Sequence, residues 1–288
     1  MTERTTLGEF ELVLATDGTY ALDGGAYFGV VPKSLWSRKK QADANNLIRA
    51  GLNCLAARSE SRTVLIETGI GEKLDDKRRR LHGVERARSL PEDLAARGVD
   101  PESIDLVINT HLHFDHCGGN TRREGGGIVP SFPRARYVAQ RGEFEHAIRQ
   151  YERDRVSYLD ENYGPLIRAG RMELLDGDAE VAPGISVRVM PGHTRHMQIV
   201  LIRSGGRTCA FLGDLAPSTV HLNPAWVMAY DLYPLESVEN KKALLAQAAA
   251  EQWLCVFVHD AENPWGYVRA EEGGKYAFVP PEGPAAGG

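Results

Sequence analysis

Apolar residues in the first part of the chain occur in the short runs that are typical of β-strands. Two such runs, at residues 9–15 and 19–22, flank Thr16-Asp17-Gly18, a pattern that predicts a β-hairpin. Residues 52–58 and 63–67 form a second pair of apolar runs. The chain is therefore predicted to begin with antiparallel β-structure.

Beyond residue 75, predicted helices alternate with predicted strands. The segment 75–98 ends in a helical pattern, with Leu90 at its start and Gly98 as its stop, and further helices are predicted at 141–150, 156–162 and 238–253. Strands are predicted at 104–109, 135–140, 172–175, 185–190, 198–203, 208–212 and 254–259, with a last hairpin through 267–268 and 276–279.

Strands and helices occur in both halves of the chain, and no Pro/Ser-rich linker divides it. This organisation predicts an α/β (α+β) fold, a four-layer αββα sandwich, with residues 1–279 as a single domain. Residues 280–288 are rich in Pro and Gly and are predicted to be a disordered tail.

A polar segment at residues 25–51, punctuated by Gly and Pro, interrupts the first strands and is predicted to be an insertion. It carries Tyr27, Phe28, Leu35 and Trp36, which we expect to be exposed. Exposed aromatic side chains on a long insertion indicate either the lip of an active site or a surface for a partner. The lip is the favoured interpretation, so the insertion is expected to lie over the active site.

Composition and charge restrict the function classes. The net charge of −5 argues against nucleic acid as the partner. No apolar run is long enough to span a membrane, and the first residues lack the apolar region of a signal peptide. Four scattered cysteines, most of them in apolar runs, suit a reducing compartment, so a cytoplasmic protein is expected.

The most informative stretch is Thr110–Gly119, which places His111, His113, Asp115 and His116 within six positions. A helix would aim these side chains in different directions, whereas a strand that runs into a loop can turn them toward one point. Imidazole and carboxylate groups together are typical ligands of Zn²⁺ and of other borderline divalent metals. The stretch therefore predicts a metal site.

Three further polar residues, His193, Asp214 and His259, each follow an apolar run. We expect each to lie at a strand end on one edge of a sheet, where it could complete the metal site. Cys117 is close to the motif, but its neighbours supply enough donors, so it is predicted to be a packing residue.

In this order, the motifs resemble those of the metallo-β-lactamase-fold hydrolases, and the resemblance covers nearly the whole chain. It implies an αββα sandwich with two divalent ions, zinc in the first place, with Mn, Fe, Co or Ni as alternatives. By position, the first ion would be held by His111, His113 and His193. The second would be held by Asp115, His116 and His259, with Asp214 bridging the two.

The sequence departs from the family pattern at two places. Many members have Gly-His-Thr-Pro-Gly-His, whereas this chain has Gly192-His193-Thr194-Arg195-His196-Met197, so the second family histidine is absent. His196 is therefore expected behind the ligands or on the surface. Glu67 stands where the family usually has an aspartate, and we expect its carboxylate to accept hydrogen bonds from the backbone of the metal loop or from a ligand histidine.

The resemblance favours the lactonase, arylesterase and organophosphate-hydrolase branch. The predicted reaction is hydrolysis of a lactone or carboxylic ester by a hydroxide that bridges the ions, with Asp115 relaying the proton. Substrate contacts are expected from the insertion residues Tyr27, Phe28, Leu35 and Trp36.

The substrate-orienting tyrosine that follows the bridging aspartate in acyl-homoserine lactonases has no counterpart, because Leu215-Ala216-Pro217 stands there. His221 and Tyr230 could replace it, or they could be a loop histidine and a packed tyrosine. The alternatives to an esterase or lactonase are a phosphotriester or phosphodiester hydrolase and a non-catalytic metal-binding protein. A homodimer is also expected, because the insertion is predicted to expose apolar side chains.

Overall fold

Two seven-stranded sheets face each other in this computed structural model, which describes residues 3–281. The N-terminal sheet has, in spatial order, β1 (Arg4–Leu7), β2 (Phe10–Asp23), β3 (Leu47–Arg58), β4 (Thr63–Ile66), β5 (Leu106–Ile108), β8 (Arg136–Gln140) and β9 (Met172–Leu175). The C-terminal sheet has β10 (Ala179–Ala182), β11 (Ile185–Val189), β12 (Gln198–Ser204), β13 (Arg207–Phe211), β14 (Leu254–Val256), β15 (Trp265–Glu271) and β16 (Lys275–Val279). A separate hairpin pairs β6 (Thr121–Glu124) with β7 (Gly127–Pro130).

Helices cover the outer faces of both sheets. The helices of the described chain are α1 (Gly24–Phe28), α2 (Lys33–Trp36), α3 (Asp76–Leu81), α4 (Leu90–Ala96), α5 (Phe114–Cys117), α6 (Arg141–Arg149), α7 (Gly164–Arg168) and α8 (Pro234–Ala250). Leu94 of α4, Ala147 of α6 and Leu166 of α7 pack in the core on the N-terminal sheet. Leu244 of α8 packs in the core on the C-terminal sheet. The predicted αββα order of layers is confirmed.

The inner faces of the sheets form the central core. Ile66 and Ile108 of the N-terminal sheet share one buried cluster with Val200, Phe211 and Val256 of the C-terminal sheet. Strands that are buried on both faces carry nearly continuous apolar runs, which explains why their positions could be predicted from sequence. Helix α4 also begins where predicted, since Ser89 and Glu92 form a capping box at its start.

The predicted hairpin at residues 9–22 is wrong. Strand β2 continues through this region, and its pairing with β3 shifts between Thr16 and Thr19, where Asp17 and Gly18 form a bulge. Turn residues and bulge residues are chemically alike, because both tolerate a positive φ, and Gly18 has φ +102°. The sequence of this polar interruption is therefore equally typical of a turn and of a bulge.

Two other expectations need correction. Residues 156–162 form two 3₁₀ turns, Arg155–Ser157 and Asp160–Asn162, in place of the predicted helix. Four strands, β1, β6, β7 and β10, were missed, because each is only four residues long and partly exposed.

The segment 25–51 contains two short helices, and its aromatic side chains are buried, which contradicts the expected exposure. Tyr27, Phe28 and Trp36 are each at most 1% exposed. Phe28 stacks on Trp36 with ring centres 4.8 Å apart, and it also stacks on His221 with ring centres 5.6 Å apart. The segment carries its own apolar cluster with Met228, so it covers core rather than offering a free aromatic surface.

The four cysteines are buried and unbridged, as expected for packed thiols. Within residues 3–281, no helix has the length and apolarity needed to cross a bilayer. The predicted disordered tail lies, from residue 282 onward, outside the described residues.

Candidate metal centre

Seven histidine and acidic side chains, which we call the ligand cluster, meet at one edge of the two sheets. The cluster consists of His111, His113, Asp115, His116, His193, Asp214 and His259. The first four follow β5, and the others follow β11, β13 and β14. Strand ends that share a sheet edge bring together residues that are far apart in sequence, which is the arrangement expected from the apolar runs.

The loop after β5 is held in shape by hydrogen bonds from the loop after β4. Glu67, which has φ +63°, accepts a hydrogen bond at 2.8 Å from the backbone N–H of Thr110 through its carboxylate. The same carboxylate lies 3.6 Å from Nδ1 of His116. The geometry therefore agrees with the first form of the expectation for Glu67, the backbone hydrogen bond, whereas the distance to His116 is too long for a hydrogen bond.

Two glycines allow the ligand loop to lie against its neighbour. A Cβ atom on Gly118 would come within 2.1 Å of the carbonyl oxygen of Ile70, and one on Gly119 within 2.2 Å of that of Thr68. Lys73 donates to the backbone oxygens of Gly118 and Thr121 from a buried position, and burial lowers the pKa of Lys73 to about 8. Close backbone contacts therefore hold this part of the ligand loop against the loop after β4, and they leave no room for a side chain at either glycine.

Within the cluster, His111, His113 and His193 form a group whose ligand atoms all lie within 4.8 Å of one another. Nε2 of His193 is 3.1 Å from Nδ1 of His113. Burial lowers the pKa of His111 and of His113 well below the ordinary value, and neighbouring imidazoles lower both further. Neutral imidazoles are the form that binds metals.

A second group contains Asp115, His116 and His259, with the same 4.8 Å limit between ligand atoms. Nε2 of His116 and Nε2 of His259 are 3.2 Å apart. Burial lowers the pKa of His116, but the carboxylates of Asp214, Asp115 and Glu67 together raise it by more than burial lowers it. The pKa of His116 therefore lies well above its ordinary value. This group therefore accommodates positive charge.

Asp214 lies between the two groups. Its Oδ2 is 3.3 Å from Nε2 of His193, whereas its Oδ1 is 3.4 Å from Nε2 of His116 and 3.2 Å from Nε2 of His259. Burial raises the pKa of Asp214, but the three imidazoles outweigh burial and hold it well below the ordinary value. One carboxylate oxygen thus faces each group.

The donor set fits divalent cations. Nε2 of His111 is buried in the cluster without a hydrogen-bond partner among the described residues. Buried polar atoms normally have partners, and a coordinated cation satisfies an imidazole nitrogen in the same way. Nitrogen and oxygen donors at these separations can therefore hold two ions.

Several residues that orient the histidines were not found from the sequence. Nδ1 of His193 donates to Asp231 at 3.0 Å, and Nδ1 of His259 donates to the carbonyl oxygen of Gly51 at 2.8 Å. Thr110 Oγ1 lies 3.0 Å from Nδ1 of His111. Such partners fix which ring nitrogen faces the metal.

Glu143 joins the two loops of the first group from behind. Its carboxylate accepts hydrogen bonds from the backbone N–H of Leu112, from the hydroxyl of Thr194 at 2.6 Å and from the hydroxyl of Tyr158 at 2.8 Å. The ring of Tyr158 in turn packs against His113, with ring centres 4.7 Å apart. No motif marks Glu143, because it lies within a helix and its partners are distant in sequence.

Tyr20 brings a hydroxyl group to the second group from β2. The hydroxyl donates to Oδ2 of Asp115 at 2.5 Å and lies 3.3 Å from Nε2 of His259. Burial raises the pKa of Tyr20 well above its ordinary value, and Asp115 and Asp214 raise it further. The sequence did not identify Tyr20 as a site residue, because the residues just before it are predicted to form a hairpin turn.

A pocket of about 390 Å³ opens onto the ligand cluster. Its walls include Leu22, Leu47, Phe114, Met228 and Leu232, and its exposed margin is formed by Leu81, Val156 and Tyr230. We call these last three residues the pocket entrance. A larger cleft of about 640 Å³, around Arg49 and Arg86, contains no member of the ligand cluster.

The predicted substrate residues are mostly elsewhere. Tyr27, Phe28 and Trp36 are buried behind the pocket wall, and Leu35 is 47% exposed but does not line the pocket. His221 is a core residue, hydrogen bonded to Ser218 and to the backbone of Tyr27, and burial lowers its pKa to about 3.

Of the residues proposed to contact substrate, Tyr230 lines the pocket. From the segment 25–51 only Leu47 does so, which means that the insertion does not cover the site as predicted. Cys117 is buried, and its thiol points to the backbone oxygen of Leu112, as expected for a packing residue. His196 is half-buried against Gly142 and lies outside the ligand cluster.

Comparison with known proteins adds independent information. The family model of the metallo-beta-lactamase superfamily matches residues 50–259. A solved structure described as a probable metal-dependent hydrolase from Staphylococcus aureus is 31% identical, with a TM-score of 0.87. That similarity covers 96% of this chain and 99% of the other.

The sequence relatives include N-acyl homoserine lactonases. One from Bacillus cereus is 31% identical over 169 residues, which are 55% of this chain and 61% of the relative. The chain thus spans less than two thirds of that relative. One from Bacillus thuringiensis is 28% identical over 220 residues, which are 73% of this chain and 81% of the relative.

Proposed function

The chain belongs to the metallo-beta-lactamase superfamily, and we propose that it is a metal-dependent hydrolase that opens a lactone or cleaves a carboxylic ester. The observation that carries the proposal is the position of Asp214, with one carboxylate oxygen toward each of two groups of potential ligands. Both groups lie at the base of a pocket with largely apolar walls. N-acyl homoserine lactonases among the relatives support the lactone.

In this proposal, His111, His113 and His193 hold one divalent ion. Asp115, His116 and His259 hold the other, and Asp214 bridges the pair. Zinc is the proposed metal, because imidazole and carboxylate ligands without thiolate suit it, although Mn, Fe, Co and Ni accept the same donors. Divalent ions so placed would lower the pKa of a bound water to near 7 and polarise the substrate carbonyl.

The chain's own residues position the substrate and move protons. Asp115 lies at the pocket side of the cluster with 12% of its side chain exposed, so its carboxylate can relay a proton to the leaving alkoxide. Tyr230 lines the same pocket, and burial raises the pKa of its hydroxyl to about 12, so it remains a hydrogen-bond donor at neutral pH. We assign Tyr230 to the orientation of the substrate carbonyl.

The pocket walls set the substrate class. A volume of about 390 Å³ suits a small molecule rather than a polymer. Phe114 and Met228 offer apolar surface next to the ligand cluster, which favours an acyl chain or an aromatic ring on the acid or alcohol part of the substrate. Burying such a group contributes about 0.8 kcal/mol per methylene.

The test compares three substrates on one purified protein whose metal content has been measured. A γ-lactone with an acyl side chain, an aryl ester and an aryl phosphotriester are assayed with and without a chelator, and again after Zn²⁺ has been added back. We expect the lactone or the ester to be hydrolysed, the activity to disappear with the chelator and to return with the metal.

Asp214→Asn serves as the matched control, because it keeps the shape of the side chain and removes the charge between the two groups. Faster hydrolysis of the phosphotriester than of both acyl substrates would move the assignment to phosphoester chemistry. If none of the three is hydrolysed while two ions stay bound per chain, the protein is a non-catalytic metal-binding protein and the proposal is wrong.

A further inference from the structure

Tyr20 connects strand β2 to the second group of potential ligands. Its side chain is only 2% exposed, and its ring packs against the ring of His259 at 5.4 Å between centres. Its hydroxyl donates to Asp115 and lies 3.3 Å from Nε2 of His259, so it contacts two of the three members of this group. The first group, His111, His113 and His193, contains only imidazoles. It therefore has no carboxylate that a hydroxyl group could orient in this way.

The β-bulge determines where Tyr20 points. Thr16 pairs with Asn53 and Thr19 pairs with Gly51, so Asp17 and Gly18 together stand opposite the single residue between those partners. Side chains alternate along a strand, and an extra residue reverses the alternation beyond the bulge. The bulge therefore turns Tyr20 toward the ligand cluster, while Gly51 on the paired strand receives the hydrogen bond from His259.

Asp17 holds the bulge against the loop that supports the ligands. Its side chain is 1% exposed and accepts hydrogen bonds from Arg86 and from the backbone N–H of Gly71, each at 2.8 Å. The loop after β4 that contains Gly71 also contains Thr68, whose N–H donates at 2.9 Å to the backbone oxygen of His116. The bulge and the ligand helix α5 are thus fastened to the same loop.

From this placement we propose that Tyr20 is a positioning residue for the second ion, which fixes the carboxylate of Asp115 through its hydroxyl. The inference rests on the proposed function, because it presupposes that Asp115, His116 and His259 bind an ion. A carboxylate that is hydrogen bonded in one orientation loses less freedom when it coordinates a cation. Outer hydrogen-bond partners of this kind change metal affinity about 10- to 100-fold.

The experiment measures stepwise Zn²⁺ binding to the metal-stripped full chain, by competition with a chromophoric chelator and by metal analysis after desalting. The variants are Tyr20→Phe, which removes only the hydroxyl, and Tyr230→Phe, which removes the hydroxyl of another pocket tyrosine. We expect wild type to bind two ions. Tyr20→Phe should bind the first ion with unchanged affinity and the second about 10- to 100-fold more weakly, while Tyr230→Phe should bind both as wild type does.

The outcomes separate this inference from the proposed function. If wild type binds fewer than two ions, the proposed dinuclear site fails, and the role of Tyr20 fails with it. If wild type binds two ions and is active, but Tyr20→Phe retains the affinity for the second ion, only the role of Tyr20 is wrong. A loss of kcat in that variant at full occupancy would show that Tyr20 acts on the substrate instead. Equal weakening of both ions, or a lowered Tm, would indicate a general structural role and would likewise overturn it.

Discussion

The ligand cluster and the pocket entrance are adjacent, yet they are built in opposite ways. Each ligand histidine is at most 8% exposed, and partners from distant parts of the chain, such as Asp231 and Gly51, orient some of them. At the entrance, Leu81 is 71% exposed and Val156 is 77% exposed. Leu81 ends the six-residue helix α3, and Val156 lies in the 3₁₀ turn Arg155–Ser157. Neither segment contains a buried residue, and such segments depend little on the core.

Because of this difference, we expect the ligand cluster to determine the rate of the reaction and the pocket entrance to determine which substrates are preferred. A change in the ligand cluster removes a charge or a ligand from a largely buried site, where water compensates poorly for the lost group. A change at the entrance removes apolar contact that solvent partly covers already. We therefore expect cluster variants to lose metal and rate together, and variants of the apolar entrance residues Leu81 and Val156 to change substrate preference alone.

The largest effect is expected from Asp214→Asn. Removing the charge between the two groups should lower metal occupancy and should reduce kcat/KM by about 1,000-fold or more, since about 4 kcal/mol of transition-state stabilisation depends on the ions. The measurements are metal content per chain and the rate of lactone hydrolysis. A full complement of two ions together with such a loss of rate would contradict the bridging role.

Trp36→Ala tests whether the segment 25–51 is part of the folded core or part of the surface that contacts substrate. Trp36 is 1% exposed and stacked on Phe28, so its truncation should destabilise the protein by about 3–5 kcal/mol, as other buried aromatic truncations do. Denaturant unfolding measures this directly. A stability within about 0.5 kcal/mol of wild type, the range of ordinary surface substitutions, together with an altered substrate preference, would restore the original interpretation of the segment as an active-site lip.

The reason that this segment was misinterpreted is physical. Its residues are punctuated by Gly and Pro and show no period, so the sequence reveals that Phe28 and Trp36 are apolar but not which surface covers them. The ring of Phe28 is covered by His221 and Trp226, which lie nearly 200 positions away in the sequence. Burial of this kind is decided by tertiary contacts and not by local pattern.

The ligand cluster was more accessible to prediction because strand ends leave a trace in the sequence. His193, Asp214 and His259 each follow an apolar run, so their common edge could be inferred before the structure was known. Tyr20 and Asp231 leave no such trace. Tyr20 follows a bulge that resembles a turn, and Asp231 lies in an irregular loop before α8.

A smaller effect is expected from Asp231→Asn, which tests how the cluster is supported. The amide keeps the shape and an oxygen acceptor but loses the negative charge of the carboxylate that accepts the hydrogen bond from Nδ1 of His193. Metal affinity should fall about 10- to 100-fold, and excess Zn²⁺ in the assay should restore most of the rate. Unchanged affinity, measured by the same chelator competition, would show that the hydrogen bond to His193 suffices without the charge of Asp231, since the amide oxygen of asparagine also accepts it.

The smallest effects are expected at the pocket entrance, from Leu81→Ala and Val156→Ala. Each truncation removes a few methyl or methylene groups that are partly exposed, so each should cost about 1 kcal/mol or less with a long acyl chain. We expect KM for a long-chain lactone to rise a few-fold in each variant. With a short-chain lactone, KM should stay the same, as should kcat and metal content with either substrate.

Leu235→Ala is the matched control for these two variants, because Leu235 is 82% exposed and does not line the pocket. It loses the same kind of surface without losing a substrate contact. If the control shifts the chain-length preference as much as Leu81→Ala does, exposure and not position explains the effect, and these side chains do not form an entrance. If either entrance variant instead loses metal, the two regions are coupled. The separation between a rigid site for chemistry and an adjustable rim for selection would then have to be given up.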